Sequence, residues 1–129
     1  MTQKEKPKYG TIGWIDLTVP DALSLKDFYS EVAGWQPEAL SMGDYDDFIM
    51  SADGEPKAGV CHKKGPNSDI PSQWMIYINV PDLDKSLAAC TAKGGKAITA
   101  IKGMGNSGRY CFIEDPAGAV CALFEPKVD

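Results

Sequence analysis

The sequence predicts an α+β protein made of two βαβββ units, eight strands in all, related by a pseudo-twofold. Three observations predict it. The first is an internal repeat: WIDLTVPD at 14–21 returns as MIYINVPD at 75–82, an offset of 61. In nearly the same register Ala33-Gly34 returns as Gly94-Gly95, Met42-Gly43 as Met104-Gly105, and GVC at 59–61 as AVC at 119–121. A period close to half the chain means two copies of one unit, too few and too long for a solenoid. The second observation is that each copy opens on a strand-like alternation and passes into a helical stripe. The third is the set of three short strand-like segments, separated by glycine-containing turns, that follows each stripe.

Taken in order, the polar residues 1–10 read as a flexible N-terminal arm. The first unit covers 11–64. Trp14, Asp16 and Thr18 share one face and Ile15, Leu17 and Val19 the other, the pattern of a half-buried strand. Pro20 ends it, and Asp21 is a good N-cap. Leu25, Phe28, Tyr29 and Val32 recur at helical spacing and predict a helix over about 22–33, closed by Gly34. Strands are expected over 38–42, 45–51 and 57–63. Residues 65–72, rich in turn formers, read as a linker. The second unit, 73–126, repeats the plan: Asp82 caps a helix carrying Leu83, Leu87 and Cys90 or Thr91, Gly94 ends it, and strands follow over 96–102, 109–114 and 119–125. Residues 11–126 are expected to form a single compact domain.

Composition narrows the class of function. With 43% hydrophobic and 24% charged residues in 129, the chain is of ordinary globular type and not disordered. A net charge of −5 repels phosphate backbones, so nucleic acid is not an expected partner. The longest apolar runs are far too short to span a bilayer and the opening residues are polar, so a cytoplasmic protein with no membrane partner is expected. Cys61, Cys90, Cys111 and Cys121 show no CxxC spacing and read as small reduced core residues. His62 is the one histidine, which restricts any mechanism needing several imidazoles.

Two such units, each opening on a strand into Val-Pro-Asp, with Phe28-Tyr29 and Gly34-Trp35 on and after the first helix and EDPAGAVCALFEP at 114–126, resemble the vicinal oxygen chelate superfamily. This is the group of glyoxalase I, the bleomycin-resistance proteins and the extradiol dioxygenases. The resemblance covers about 11–126 and implies a fold rather than a reaction, because isomerases, dioxygenases, lyases and sequestering proteins share the scaffold. It implies that the eight strands curl into open cup-like half barrels, the cups facing each other, commonly across a homodimer, and that metal ligands lie on the first and last strands of each unit. Those ligand positions fall here on Trp14, Met75 and Ala122, and the match of GVC with AVC places the fourth at His62. One usual ligand in four is too few for the inherited centre, so no metal and no cofactor is expected.

Among candidate site residues, His62 reads either as a general base on an inward strand face or as a histidine titrating in solvent before Lys63-Lys64. Asp16, on the face of Trp14, reads either as its partner in acid–base work or as a carboxylate bonded to nearby backbone. Tyr77 is its repeat mate. Trp14, Met75 and Phe124 suit a planar or hydrophobic ligand, or plain core. Trp35 and Trp74 suit structural roles. Arg109, the chain's only arginine, either clamps an anionic ligand or pairs with Asp47. The glycine-rich 102–108 lacks a following helix and reads as a lid rather than a dinucleotide loop. The expectation is a glyoxalase-like protein binding a small hydrophobic or carbonyl metabolite, with lyase, isomerase or dioxygenase-type activity, or alternatively a sequestering protein of the bleomycin-resistance type.

Overall fold

The computed structural model describes residues 8–65 and 68–127. The N-terminal arm expected over 1–10 therefore lies largely outside the described residues, as do two positions of the expected linker. The elements run β1 (Ile12–Val19), α1 (Ala22–Ala33), β2 (Gln36–Ser41), β3 (Asp46–Ala52), β4 (Glu55–His62), β5 (Trp74–Asn79), α2 (Leu83–Ala92), β6 (Lys96–Ala97), β7 (Lys102–Gly103), β8 (Gly108–Glu114) and β9 (Val120–Pro126). This is the α+β class the sequence predicts. The chain divides into two compact units, one from Trp14 to Met75, the other from Ile76 onward together with the stretch ending at Gly13.

In the Trp14–Met75 unit the strand order is β2-β3-β4-β1, antiparallel except for the β1–β4 pair. The parallel pairing follows from α1, which carries the chain across one face. Asp21 caps it, its carboxylate accepting from the Ser24 backbone N–H at 3.1 Å and hydroxyl at 2.8 Å. Gly34 ends it in the left-handed conformation, at φ 74. Val60, Phe48 and Met50 are buried with Ala22, and Val19, Leu25, Tyr29, Trp35 and Trp74 pack against them. Each large side chain so buried is worth roughly 1.5–3 kcal/mol. Phe28 and Val32, the other half of the predicted stripe, stay exposed. Trp35 and Trp74 have the structural role expected of them: Tyr29 stacks on Trp35, and the Trp74 indole N–H donates to the Tyr29 hydroxyl at 3.1 Å.

In the unit from Ile76 onward, β5 pairs in parallel with β9, which runs antiparallel to β8, and β6 and β7 both pair with β8. Asp82 caps α2, accepting from the Lys85 N–H at 3.1 Å. Leu83, Cys111, Ile113 and Leu123 form the buried cluster beneath it. Asp115 closes the β8–β9 hairpin, its Oδ1 accepting the N–H groups of Ala117 and Ala119. Gly118 supplies the positive φ that the turn requires.

The strand expected over 96–102 differs: it is two two-residue strands, so the described residues hold nine strands instead of eight. Thr99 breaks the ladder, because its hydroxyl takes the Phe112 N–H and itself donates to the Ala100 carbonyl. The glycine-rich 103–108 is a tied hairpin turn, with Met104 N–H bonded to Gly108 O and Ser107 N–H to Met104 O. Within the expected linker, Ile70 is buried.

Candidate functional site

Strand alternation gives each sheet a face toward its helix and an open face away from it. In the Trp14–Met75 unit the helix face carries Val19, Val60 and Phe48. Asp16 pairs with Gly59 and Thr18 with Cys61, so Trp14, Asp16, Thr18 and Cys61 share the open face. Asp16 is held there by donors on both sides: Trp14 Nε1–H at 2.9 Å and the Cys61 thiol at 3.8 Å, both to Oδ1. Gly59 makes the seat, since a Cβ at 59 would fall on Asp16 Oδ1. Burial pushes the Cys61 thiol far above its usual range, and the carboxylates of Asp16 and Asp47 push it the same way. Cys61 is thus a thiol donor and not a nucleophile.

His62 pairs with Val19 and points to the other face. Its Nδ1 donates to the Asp46 carbonyl at 2.8 Å, its backbone N–H donates to Asp47 Oδ1 at 2.8 Å, and its ring packs edge-on against Tyr45. The expected Asp16–His62 pair is not assembled.

The register of the second unit explains the difference. Tyr77, the mate of Asp16, pairs with Ala122, whereas Asp16 pairs with Gly59. Gly59 therefore answers to Ala122, and His62 to Glu125: the repeat keeps an offset of 61 through strand and helix and widens to 63 across the last hairpin. Matching GVC to AVC displaced that correspondence by three residues. The four inherited ligand positions are then Trp14, Met75, Gly59 and Ala122, an indole, a thioether, a hydrogen and a methyl. This donor set does not fit the family's metal. No group of three or more His, Cys, Asp or Glu among the described residues is placed to hold one.

Glu125, in the place that answers to His62, reaches its own helix terminus. Its Oε1 accepts the Leu83 N–H at 2.8 Å. Arg109 clasps the same carboxylate through Nε and one terminal nitrogen, both at 3.0 Å, and reaches Asp84 at 2.9 Å. The guanidinium thus pairs on the helix side with Glu125 and Asp84 and not with Asp47, which serves Cys61 and His62 instead. Arg109 first, and then the Leu83 N–H, hold the Glu125 carboxyl below the usual carboxylate range.

On the open face of this unit Tyr77 and Phe112 both pair with Ala122, and Tyr110 pairs with Phe124. Tyr77, Tyr110 and Phe112 meet in tilted and edge-on contacts with centroids 5.6–6.1 Å apart. Lys102 Nζ sits 5.4 Å from the centroid of the Phe112 ring. Tyr110 and Phe112 were missed from sequence, although the alternation in Arg109-Tyr110-Cys111-Phe112-Ile113 carries the signal. Met75, 1% exposed, is core.

Residues 11–123 match the model of the Glyoxalase/Bleomycin resistance protein/Dioxygenase superfamily. CFP32 of Mycobacterium tuberculosis, provisionally named a glyoxylase, is 29% identical over 130 residues, covering 97% of this chain and 49% of that protein. The anthracycline biosynthesis protein DnrV of Streptomyces peucetius is 30% identical over 134 residues, covering 92% of this chain and 48% of its own length. The chain thus spans about half the length of these curated relatives. Among solved structures, a glyoxalase/bleomycin resistance protein/dioxygenase superfamily member from Vibrio splendidus aligns with a TM-score of 0.57 at 13% identity, covering 87% of this chain and 96% of that one. Methylmalonyl-CoA epimerase from Mycobacterium tuberculosis aligns at 0.56 and 15%, covering 91% and 88%. Likeness at this identity concerns the fold.

Proposed function

Because the chain belongs to the glyoxalase/bleomycin resistance protein/dioxygenase superfamily, we propose that it binds a small hydrophobic, planar or carbonyl compound on the open faces of its sheets, without the family's metal. One observation carries this: Phe124 on the open face of one sheet, and Trp14 with Asp16 on that of the other, are only half buried, and Phe124 is backed by the buried aromatic cluster of Tyr77, Tyr110 and Phe112. A half-buried ring held by packed aromatic neighbours suits a planar hydrophobic ligand. A relative named for anthracycline biosynthesis is consistent with an aromatic ligand. Asp16, steadied by Trp14 and Cys61, adds a polar contact of fixed orientation on the open face of its own unit.

Binding is favoured over acid–base turnover by Asp16 with His62, since the two side chains leave opposite faces of β1 and β4. Sequestration of the bleomycin-resistance type requires no base and tolerates Trp14, Met75, Gly59 and Ala122 where ligands are expected. The protein acts as a homodimer in this reading. A screen of planar aromatic and α-dicarbonyl compounds by thermal shift, followed by calorimetry, tests it. At least one aromatic compound is expected to raise Tm and to lose affinity in Phe124→Ala. A screen without any stabilising compound overturns the proposal.

A further inference from the structure

The register of the unit from Ile76 onward sets one row of side chains across its open face: Asn79 pairs with Phe124, Phe124 with Tyr110, and Tyr110 with Lys102. The Asn79 end is tied, its amide donating to the Thr11 hydroxyl at 3.2 Å. Phe124 is half-buried, and its ring edge lies over the backbone of Gly108, where a Cβ would come within 3.0 Å of Cζ. At the far end the usual pattern is inverted: Ile101 and Gly103 are exposed, and Lys102 is the half-buried residue between them. A charge on the inward side of a strand, with an apolar neighbour turned to water, runs against the burial of apolar surface and calls for a function. Lys102 keeps to the face by resting its ammonium 5.4 Å from the centroid of the buried Phe112 ring, which steadies the cation. Among the described strand residues of this unit, the other charges whose register puts them on this face are Glu114 and Lys96, which pair with each other at 3.4 Å. Arg109 and Glu125 pair on the helix side. Lys102 thus gives the aromatic end of the face a positive charge, in a chain whose net charge is −5.

We infer that the compound bound on this face is a planar aromatic carboxylate of fused rings, its rings on Phe124 and its carboxylate at Lys102. The inference rests on the binding reading above and adds the charge of the ligand. Lys102 and Phe124 stand two strand spacings apart, roughly 10 Å, a span suited to fused rings rather than one. Naphthoate and naphthamide, matched in ring and substitution and different in charge, test it by calorimetry on the 129-residue protein. Wild type should bind naphthoate at least about tenfold more tightly than naphthamide, the size of one charge-assisted contact, and the gap should narrow as salt screens the charge. Lys102→Met, which keeps the stem and loses the charge, should bind the two alike with the amide affinity unchanged, and Lys102→Arg should keep the preference. Circular dichroism checks folding, and the salt dependence in wild type decides if Lys102→Met melts early. Equal binding of the two in wild type, or a preference for naphthoate that survives in folded Lys102→Met, overturns the assigned charge and leaves an aromatic site standing. Failure of both probes while the screen yields neutral binders has the same consequence. A screen with no ligand of any kind overturns the binding reading itself.

Discussion

Gly59 is the register partner of Asp16 on the neighbouring parallel strand, and the Asp16 carboxylate occupies the space that a side chain at 59 would fill. The carboxylate cannot swing aside freely, because Trp14 and Cys61 both donate to its Oδ1. Gly59→Ala is therefore expected to cost about 1–3 kcal/mol, the usual range for an added methyl in a filled place. In an Asp16→Ala background the same change should cost less than half as much. Denaturant unfolding of the four proteins of this cycle measures the coupling, and equal costs in both backgrounds would remove Asp16 as the obstacle.

Much of this fold was legible in the repeat. The caps at Asp21 and Asp82, the glycine that closes α1 and the α+β class all follow from residues whose physical role is local. What was not legible is the register of the last hairpin. Valine and cysteine recur at 60–61 and 120–121, but identical small residues carry little information about which backbone groups pair. The offset is 60 at β2 and β6 and already 63 at Phe48 and Cys111, so the added residues lie in the irregular stretch between β6 and β8, and this moved His62 from a strand equivalent of Ala122 to that of Glu125. The Asp47 pairing expected for Arg109 fails for a related reason: its partners Glu125 and Asp84 are distant in sequence, and the β8–β9 pairing sets Arg109 opposite Glu125.

Acid should loosen this protein through Asp21 and Glu125. Both carboxyls are held below their ordinary values, Asp21 by the Ser24 hydroxyl and then its N–H, Glu125 by Arg109 and then the Leu83 N–H. A depressed folded-state pKa contributes stability that is present above the unfolded value and is lost as pH falls through the folded one. Tm is expected to hold steady between pH 7 and about 5 and to fall below about 4. In Glu125→Gln the acid side of the Tm profile should flatten. A profile parallel to wild type would exclude Glu125 as a contributor.

Tyr29→Phe removes the acceptor for the Trp74 indole while keeping the ring that stacks on Trp35. The loss should be about 1 kcal/mol, the net value of one such bond in a partly buried place. Tryptophan emission should shift as the Trp74 N–H finds water. Tyr29→Leu, which also removes the stacked ring, should cost about 1 kcal/mol more, since aromatic pairs add roughly 0.5–1.5 kcal/mol beyond their area.

The opposite placement of Asp16 and His62 makes their variants separable. Asp16 lies on the open face with Trp14 and Cys61, so Asp16→Asn should weaken binding of a compound held there while leaving the fold intact, the amide oxygen still accepting from the indole. His62 is fixed from the other direction, through Nδ1 to the Asp46 carbonyl and by the packing of Tyr45. His62→Ala should lower Tm and leave ligand affinity within about twofold of wild type. Calorimetric titration of both variants with the tightest compound from the screen decides between the two faces. If His62→Ala abolished binding and Asp16→Asn did not, the ligand would have to sit on the helix side, and Phe124 with the aromatic cluster behind it would lose its assigned role.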